Sequence, residues 1–230
     1  MRSYKNLSYR MGIMVAAEKV EKHDFIEVEY TAIVEDTSQI FDTTDEKTAK
    51  SANIYNKKAE YKPVIICIGE SQILKGLDES LVGKQPGEKE YEIKLESEEA
   101  FGKKNPKLLQ LISQSSFKKQ NINPYPGLQM NIDGIIGTVR TVTPGRVIVD
   151  FNHPLAGKKI TYRVRIIRKV TDDKEKLDSI LSFFVKDFKT EIIQEEAKIS
   201  AIIPKEAQDI LKKKITDLIP SIKKVTISKE

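Results

Sequence analysis

Apolar and polar residues alternate from Phe25 to Val34. Ile26, Val28, Tyr30, Ala32 and Val34 fall on one side, and Glu27, Glu29 and Thr31 on the other. A period of two is the mark of a half-buried strand. Residues 42–62 are polar and irregular and read as a long loop with one helical turn. Residues 64–68, Val-Ile-Ile-Cys-Ile, form a continuous apolar run that Gly69 ends. Such a run predicts a strand covered on both faces. Leu74, Leu77 and Leu81 then recur at helical spacing, and Gly83 stands where a C-terminal cap belongs. Pro86-Gly87 marks a turn, and alternation returns over residues 88–95 with Tyr91, Ile93 and Leu95 inward. The pattern predicts an antiparallel sheet wrapped over one short helix.

That sheet lacks its last strand until residues 159–166, Lys-Ile-Thr-Tyr-Arg-Val-Arg-Ile, after an interruption at 103–158. Inside the interruption, residues 128–132, 135–142 and 146–151 read as strands, with turn signals at Asp133-Gly134 and Pro144-Gly145. Strands this short predict a small barrel or sandwich. After Val170 the periodicity becomes helical. Asp172 or Asp173 is positioned to cap a helix with Leu177, Ile180, Leu181, Phe184, Val185 and Phe188 inward. Strand-like runs at 190–194 and 197–203 follow. Pro204 then opens a helix with Ala207, Ile210, Leu211, Ile215 and Leu218 inward, and residues 222–228 read as a strand. The expected fold is α+β in three parts: a bent sheet domain from 24–102 plus 159–171, an inserted small β domain at 103–158, and a C-terminal αββαβ domain at 172–230.

Charge sharpens this division. The whole chain carries +5, but residues 24–102 hold 9 basic and 18 acidic groups, and 103–158 hold 8 basic and 2 acidic. The basic insert raises nucleic-acid binding as a reading. Its lysines are spread among turns with few aromatics between them, so a solvated face is favoured and nucleic acid is disfavoured as a partner. No apolar run approaches the roughly 20 residues of a membrane helix, so no membrane partner is expected. Residues 1–23 read as an N-terminal leader rather than a signal peptide, with Met11 or Met14 as an alternative start. The expected location is the cytoplasm. One cysteine, Cys67, excludes an internal disulfide framework and reads as a buried structural thiol. With only two histidines beside it, a structural zinc site is not expected, and no metal is assigned.

Four motifs then converge. They are Phe41-Asp42-Thr43-Thr44, the stretch from Ile68-Gly69 through Ile73-Leu74-Lys75-Gly76-Leu77-Asp78, Gly83-Lys84-Gln85-Pro86-Gly87-Glu88, and Glu99-Ala100-Phe101-Gly102. Together they resemble FKBP-type peptidyl-prolyl cis-trans isomerases. Asn152-His153-Pro154-Leu155-Ala156-Gly157-Lys158, with the insert before it, resembles the insert-in-flap domain of SlyD and archaeal FKBPs. The C-terminal part is similar to the long-chain archaeal type in size and element order. The resemblance implies a bent antiparallel sheet around one helix and a pocket lined by Tyr30, Phe41, Asp42, Ile73, Leu74, Leu77, Phe101 and Tyr162. It also implies a backbone N–H near Ile73-Leu74 that donates to a bound peptide, and a hydrogen bond between the Tyr30 hydroxyl and the Asp42 carboxylate. Leu77 replaces a common tryptophan and Val64 a common aromatic, which implies a wider, less aromatic pocket.

The implied activity is X–Pro isomerisation with chaperone action on unfolded or nascent polypeptides containing proline. Rotation about an amide breaks no bond, so it asks for neither nucleophile nor cofactor. Within the insert, apolar residues outnumber what a domain of that size hides easily. Phe117, Met130, Ile132, Ile135 and Val139 are the candidates for an exposed substrate groove. The C-terminal domain reads as a packing or homodimerisation module. The competing reading is a folding chaperone whose isomerase pocket is vestigial.

Overall fold

The computed structural model describes residues 18–132 and 134–229. Its central element is β1 (Phe25–Val34), which is paired along both edges. On one edge, β2 (Gln39–Thr43) pairs with residues 31–34 and β3 (Val64–Cys67) with residues 25–28. On the other lies β9 (Ile160–Lys169), and beyond it β4 (Glu90–Leu95), all antiparallel. The strand that follows the insert is therefore central in the sheet, between β1 and β4. The chain leaves from β4 and returns on its immediate neighbour, with Leu95 opposite Ile160.

Between β2 and β3, the expected helical turn is α1 (Glu46–Ser51), capped by Asp45, whose side chain accepts from Thr48 N–H. The short helix expected over the sheet is α2 (Lys75–Leu81), with Gly83 at φ +80° just past its end. Leu77 and Leu81 on α2 pack with Ile26, Val28, Ile66, Ile68, Ile93, Leu95, Ile160, Val164 and Ile166 in one core.

Residues 1–17, including Met11 and Met14, lie outside the described residues. The end of the expected leader joins the sheet domain instead. Val20 is buried in its core, its N–H donates to Lys84 O, and its carbonyl accepts from Gly83 N–H.

The insert is a four-stranded antiparallel sheet in the order β5 (Leu109–Ser113), β8 (Arg146–Asp150), β7 (Ile135–Thr143), β6 (Gln129–Ile132). It is not a barrel or sandwich. A single helix, α3 (Gln114–Lys119), takes the place of a second sheet over one face. Phe117 from that helix packs on Val139, Val147 and Val149. Neither β5 nor α3 was expected. Leucine and glutamine have little strand preference, and six helical residues show less than two turns of periodicity.

The C-terminal domain follows the expected order: α4 (Asp173–Ser182), β10 (Phe188–Ile193), β11 (Glu196–Ala201), α5 (Lys205–Leu218) and β12 (Lys224–Ser228). Asp172 is the cap of α4 and accepts from Glu175 N–H. β11 pairs antiparallel with β10 and parallel with β12, the parallel pair being joined through α5.

This domain shares its core with the main sheet. Phe25 and Cys67 are buried together with Leu177, Ile180, Leu181 and Ile199, with Ile65 packed alongside. The uninterrupted apolar run of β3 is thus explained. Ile66 and Ile68 face one core, and Ile65 and Cys67 face the other. Ion pairs bridge the same junction, from Arg168 to Glu27 and Glu175 and from Lys214 to Glu70. Two residues expected inward are not. Phe184 and Ile210 are 58% and 72% exposed. They border a small apolar groove with Ile202. Among the described residues, no helix is long and apolar enough to cross a membrane.

Candidate active site

β1, β2 and β9 lie side by side, so their residues on one face meet. Tyr30 comes from β1, Phe41 and Asp42 from β2, and Tyr162 from β9. The Tyr30 and Tyr162 rings lie 5.8 Å apart, tilted by 58°. Phe41 stands edge-on to Tyr162 at 6.5 Å and to Phe101 at 5.9 Å. Such edge-to-face pairs fix each ring's plane through its quadrupole. Leu77 on α2 is buried beneath this cluster's domain, and Ile73, Leu74 and Phe101 are half-buried against the same core.

The Tyr30 hydroxyl donates to Asp42 Oδ2 at 2.8 Å. Burial first, and the Asp42 carboxylate second, push the Tyr30 phenol well above its ordinary value. Burial first and Asp42 second do the same to Tyr162. Both rings therefore remain neutral across the physiological range. Cys67 is also excluded from chemistry. Burial, then the nearby Glu70 carboxylate, pushes its thiol up to about 12, so almost no thiolate forms at neutral pH.

The loop that carries Ile73 and Leu74 is held at two points. Both Asp78 carboxylate oxygens accept from Gly69 N–H, at 3.0 and 2.9 Å. Gln72 Oε1 accepts from Cys67 N–H at 2.6 Å. Among the described residues, neither Ile73 N–H nor Leu74 N–H is engaged by a backbone acceptor. Gly76 lets the turn bearing Phe101 close on α2, because a Cβ there would lie 2.7 Å from Glu99 Cβ and 3.0 Å from Glu99 O. A cleft of about 280 Å³ runs from Tyr30, Phe41 and Asp42 to Val64 and Tyr61. A larger hollow of about 630 Å³ on the other side of the sheet is lined by charge, including Glu29, Glu88, Arg163 and Arg165. Tyr30, Tyr61 and Pro63 line it as well, so charged and apolar surface alternate there.

Sequence reasoning missed one aromatic. His153, on the chain returning from the insert, stacks flat on Phe101 with centroids 4.6 Å apart and planes 4° apart. Leu155, two residues on, packs against the same core. Their place in the Asn-His-Pro signature was the available signal.

The insert residues separate. Phe117 and Val139 are buried in the insert's own core, and Met130 is half-buried against it. These three hold the insert together and offer little surface. The Ile132 side chain lies outside what the structure describes, whereas Ile135 at the tip is exposed. The apolar surface is elsewhere. Leu111 and Ile148 are cross-strand partners on the sheet face away from α3, with Leu109 and Ile136 on the same face. All four are exposed, Leu111 at 59%.

The Tyr30, Phe41 and Tyr61 rings line the smaller cleft together with Asp42, Asn56, Glu60 and Lys62, whereas Ile73, Leu74, Leu77, Phe101 and Tyr162 lie outside its lining. The ring cluster of Tyr30, Phe41, Phe101 and Tyr162 beside it is a surface suited to non-covalent binding of a peptide segment. Comparisons with known proteins agree. The family model for FKBP-type peptidyl-prolyl cis-trans isomerases matches residues 16–116, and the model described as "FKBP26, IF domain" matches residues 110–155. A short-type peptidyl-prolyl cis-trans isomerase of Methanocaldococcus jannaschii is 30% identical over 147 residues, covering 64% of this chain and 92% of the relative. The FKBP-type 16 kDa isomerase of Escherichia coli K12 is 28% identical over 156 residues, 66% of this chain and 94% of the relative. SlyD of Helicobacter pylori is 26% identical over 161 residues, covering 67% and 82%. The chain belongs to the FKBP-type peptidyl-prolyl cis-trans isomerases and carries their insert-in-flap domain.

Proposed function

We propose that Tyr30, Phe41, Asp42, Ile73, Leu74, Leu77, Phe101 and Tyr162 form the site that catalyses X–Pro isomerisation in unfolded and nascent chains. The observation that carries this is the Tyr30–Asp42 hydrogen bond set beside three mutually oriented rings. An amide resists rotation by roughly 18–20 kcal/mol because its C–N bond is partly double. Twisting it withdraws charge from the carbonyl oxygen, so an apolar site disfavours the twisted amide less than the planar one. Binding that grows as the amide twists lowers the barrier. Phe41, Phe101, Leu77 and Tyr162 supply the apolar surface. The N–H groups of Ile73 and Leu74 anchor the peptide carbonyl, and Asp42 holds Tyr30 as a neutral wall.

The exposed face of Leu109, Leu111, Ile136 and Ile148 has the character of a capture surface for unfolded chains, which makes chaperone action the second half of the function. The exposed Phe184, Ile202 and Ile210 give residues 172–230 a surface suited to a homodimer. A lone buried thiol suits a reducing cytoplasm. The test is a protease-coupled proline assay. Wild type accelerates cis-to-trans conversion of a chromogenic tetrapeptide, and Phe101→Ala and Asp42→Ala lower kcat/KM. Equal rates in all three would discard this pocket.

A further inference from the structure

The neck of the insert is built more tightly than a linker requires. Asp150, at the end of β8, is 2% exposed. Its Oδ1 accepts from the backbone N–H and the side-chain amide of Asn152, at 2.9 and 2.8 Å. Its Oδ2 takes Arg140 at 2.9 and 3.0 Å and Lys104 at 3.5 Å. Arg140 reaches it from the register shift in β7 between Val139 and Thr141. A bulge re-aims a side chain in this way. Asn152 then joins the outgoing and returning limbs. Its Oδ1 accepts from Asn105 N–H at 2.7 Å, and its Nδ2 donates to Asn105 O at 3.1 Å. Gly157 N–H closes the limbs again on Gly102 O at 2.7 Å.

The residue after Asn152 is His153, whose Nδ1 accepts from Leu155 N–H at 3.2 Å and whose ring lies flat on Phe101. Phe101 stands edge-on to Phe41, and Phe41 to Tyr162. We propose that Asp150, Asn152 and Asn105 form a clasp that sets His153 against Phe101, so that the insert's neck positions one wall of the isomerase pocket. His153 itself is exposed and belongs to no core cluster, so its ring does little for folding. Phe101 sits on a turn rather than a strand, and without a ring behind it more than one rotamer is open to it. The insert then has two separable tasks: its sheet face meets chains, and its neck shapes the site.

This rests on the pocket reading above, and the experiment distinguishes the two. Full-length wild type, His153→Ala, His153→Phe and Asp150→Asn are compared on a proline tetrapeptide too short to span pocket and insert sheet. The clasp requires kcat/KM to fall about two- to ten-fold in His153→Ala, the equivalent of one aromatic pair, mainly through KM. His153→Phe, which keeps a flat ring, restores it. Asp150→Asn shows the same loss and shifts the Phe101 ring resonances in proton NMR. If wild type is active and His153→Ala turns over unchanged, the clasp does not position the pocket. If His153→Phe is as impaired as His153→Ala, stacking is not the link. A wild type without turnover defeats the pocket reading instead.

Discussion

The main sheet and the insert sheet are both antiparallel and both rich in Ile, Leu and Val, yet they treat those residues in opposite ways. The main sheet is covered by α2 on its inner face and, at one end, by the C-terminal domain on its outer face. Its few half-buried aromatics are held edge-on to one another. The insert sheet has six helical residues over one face, while on the other Leu109, Leu111, Ile136 and Ile148 are exposed and only the Asp150 end is covered. Its outer apolar residues touch no core. A site that must favour one geometry of an amide needs rings held in place. A surface that meets many chains gains from the lack of such constraint. The proposed division of isomerase pocket and capture surface between the two sheets follows how completely each is covered.

The sharpest way to break this contrast is to remove the small insert core. Phe117→Ala should destabilise the insert by about 3–5 kcal/mol, the usual consequence of deleting a buried aromatic. Calorimetry should then show an early transition separate from that of the main domain, and a single unshifted transition would contradict the division. Within the pocket, Phe101→Ala should lower kcat/KM on a tetrapeptide at least about ten-fold, since it removes both a ring pair and apolar wall. Asp42→Ala leaves the Tyr30 hydroxyl without its acceptor; because this hydrogen bond is exposed, the loss should be modest, about 0.5–1.5 kcal/mol, and should lower kcat/KM without loss of fold by circular dichroism.

The neck gives a pH test. Burial alone would raise the Asp150 carboxyl, but hydrogen bonds from Asn152 and Arg140 and the arginine charge outweigh it and hold it at about 2. A folded value below the unfolded one adds stability above about pH 4, and that stability is lost as pH falls toward about 2. Urea unfolding of wild type should lose about 2 kcal/mol more over this window than Asp150→Asn; parallel curves would remove the argument. The smallest structural effect is expected from Leu111→Ser with Ile148→Ser. On an exposed face this should change stability by about 0.5 kcal/mol or less and leave tetrapeptide turnover intact. Suppression of aggregation of a denatured protein should nevertheless drop, and if it persists, the capture surface is elsewhere.

Where the pattern was long and periodic, sequence and structure agree. β1 and the α2 helix fall where alternation and leucine spacing put them, and the C-terminal order αββαβ is as read. Elements of five or six residues, such as β5 and α3, carry too few periods to be seen. The pocket residues were legible only through the resemblance, because Tyr30 and Tyr162, 132 positions apart, are brought together by the β1–β9 register. His153 was missed because its partner Phe101 lies across the whole insert.

Apart from the short β5 and α3, local periodicity, caps and turn residues were enough to determine which segments are strands and helices, since these depend on neighbours within a few positions. In the insert and along β3, which apolar residues become core and which stay on the surface was decided by tertiary structure. Val139 and Ile136 are chemically alike and three positions apart. One lies beneath α3 and the other faces open solvent. Cys67 is buried and Ile65 half-buried against the core that the C-terminal domain brings over them. Hydrophobic burial depends on what covers a face, and the covering element comes from distant parts of the chain.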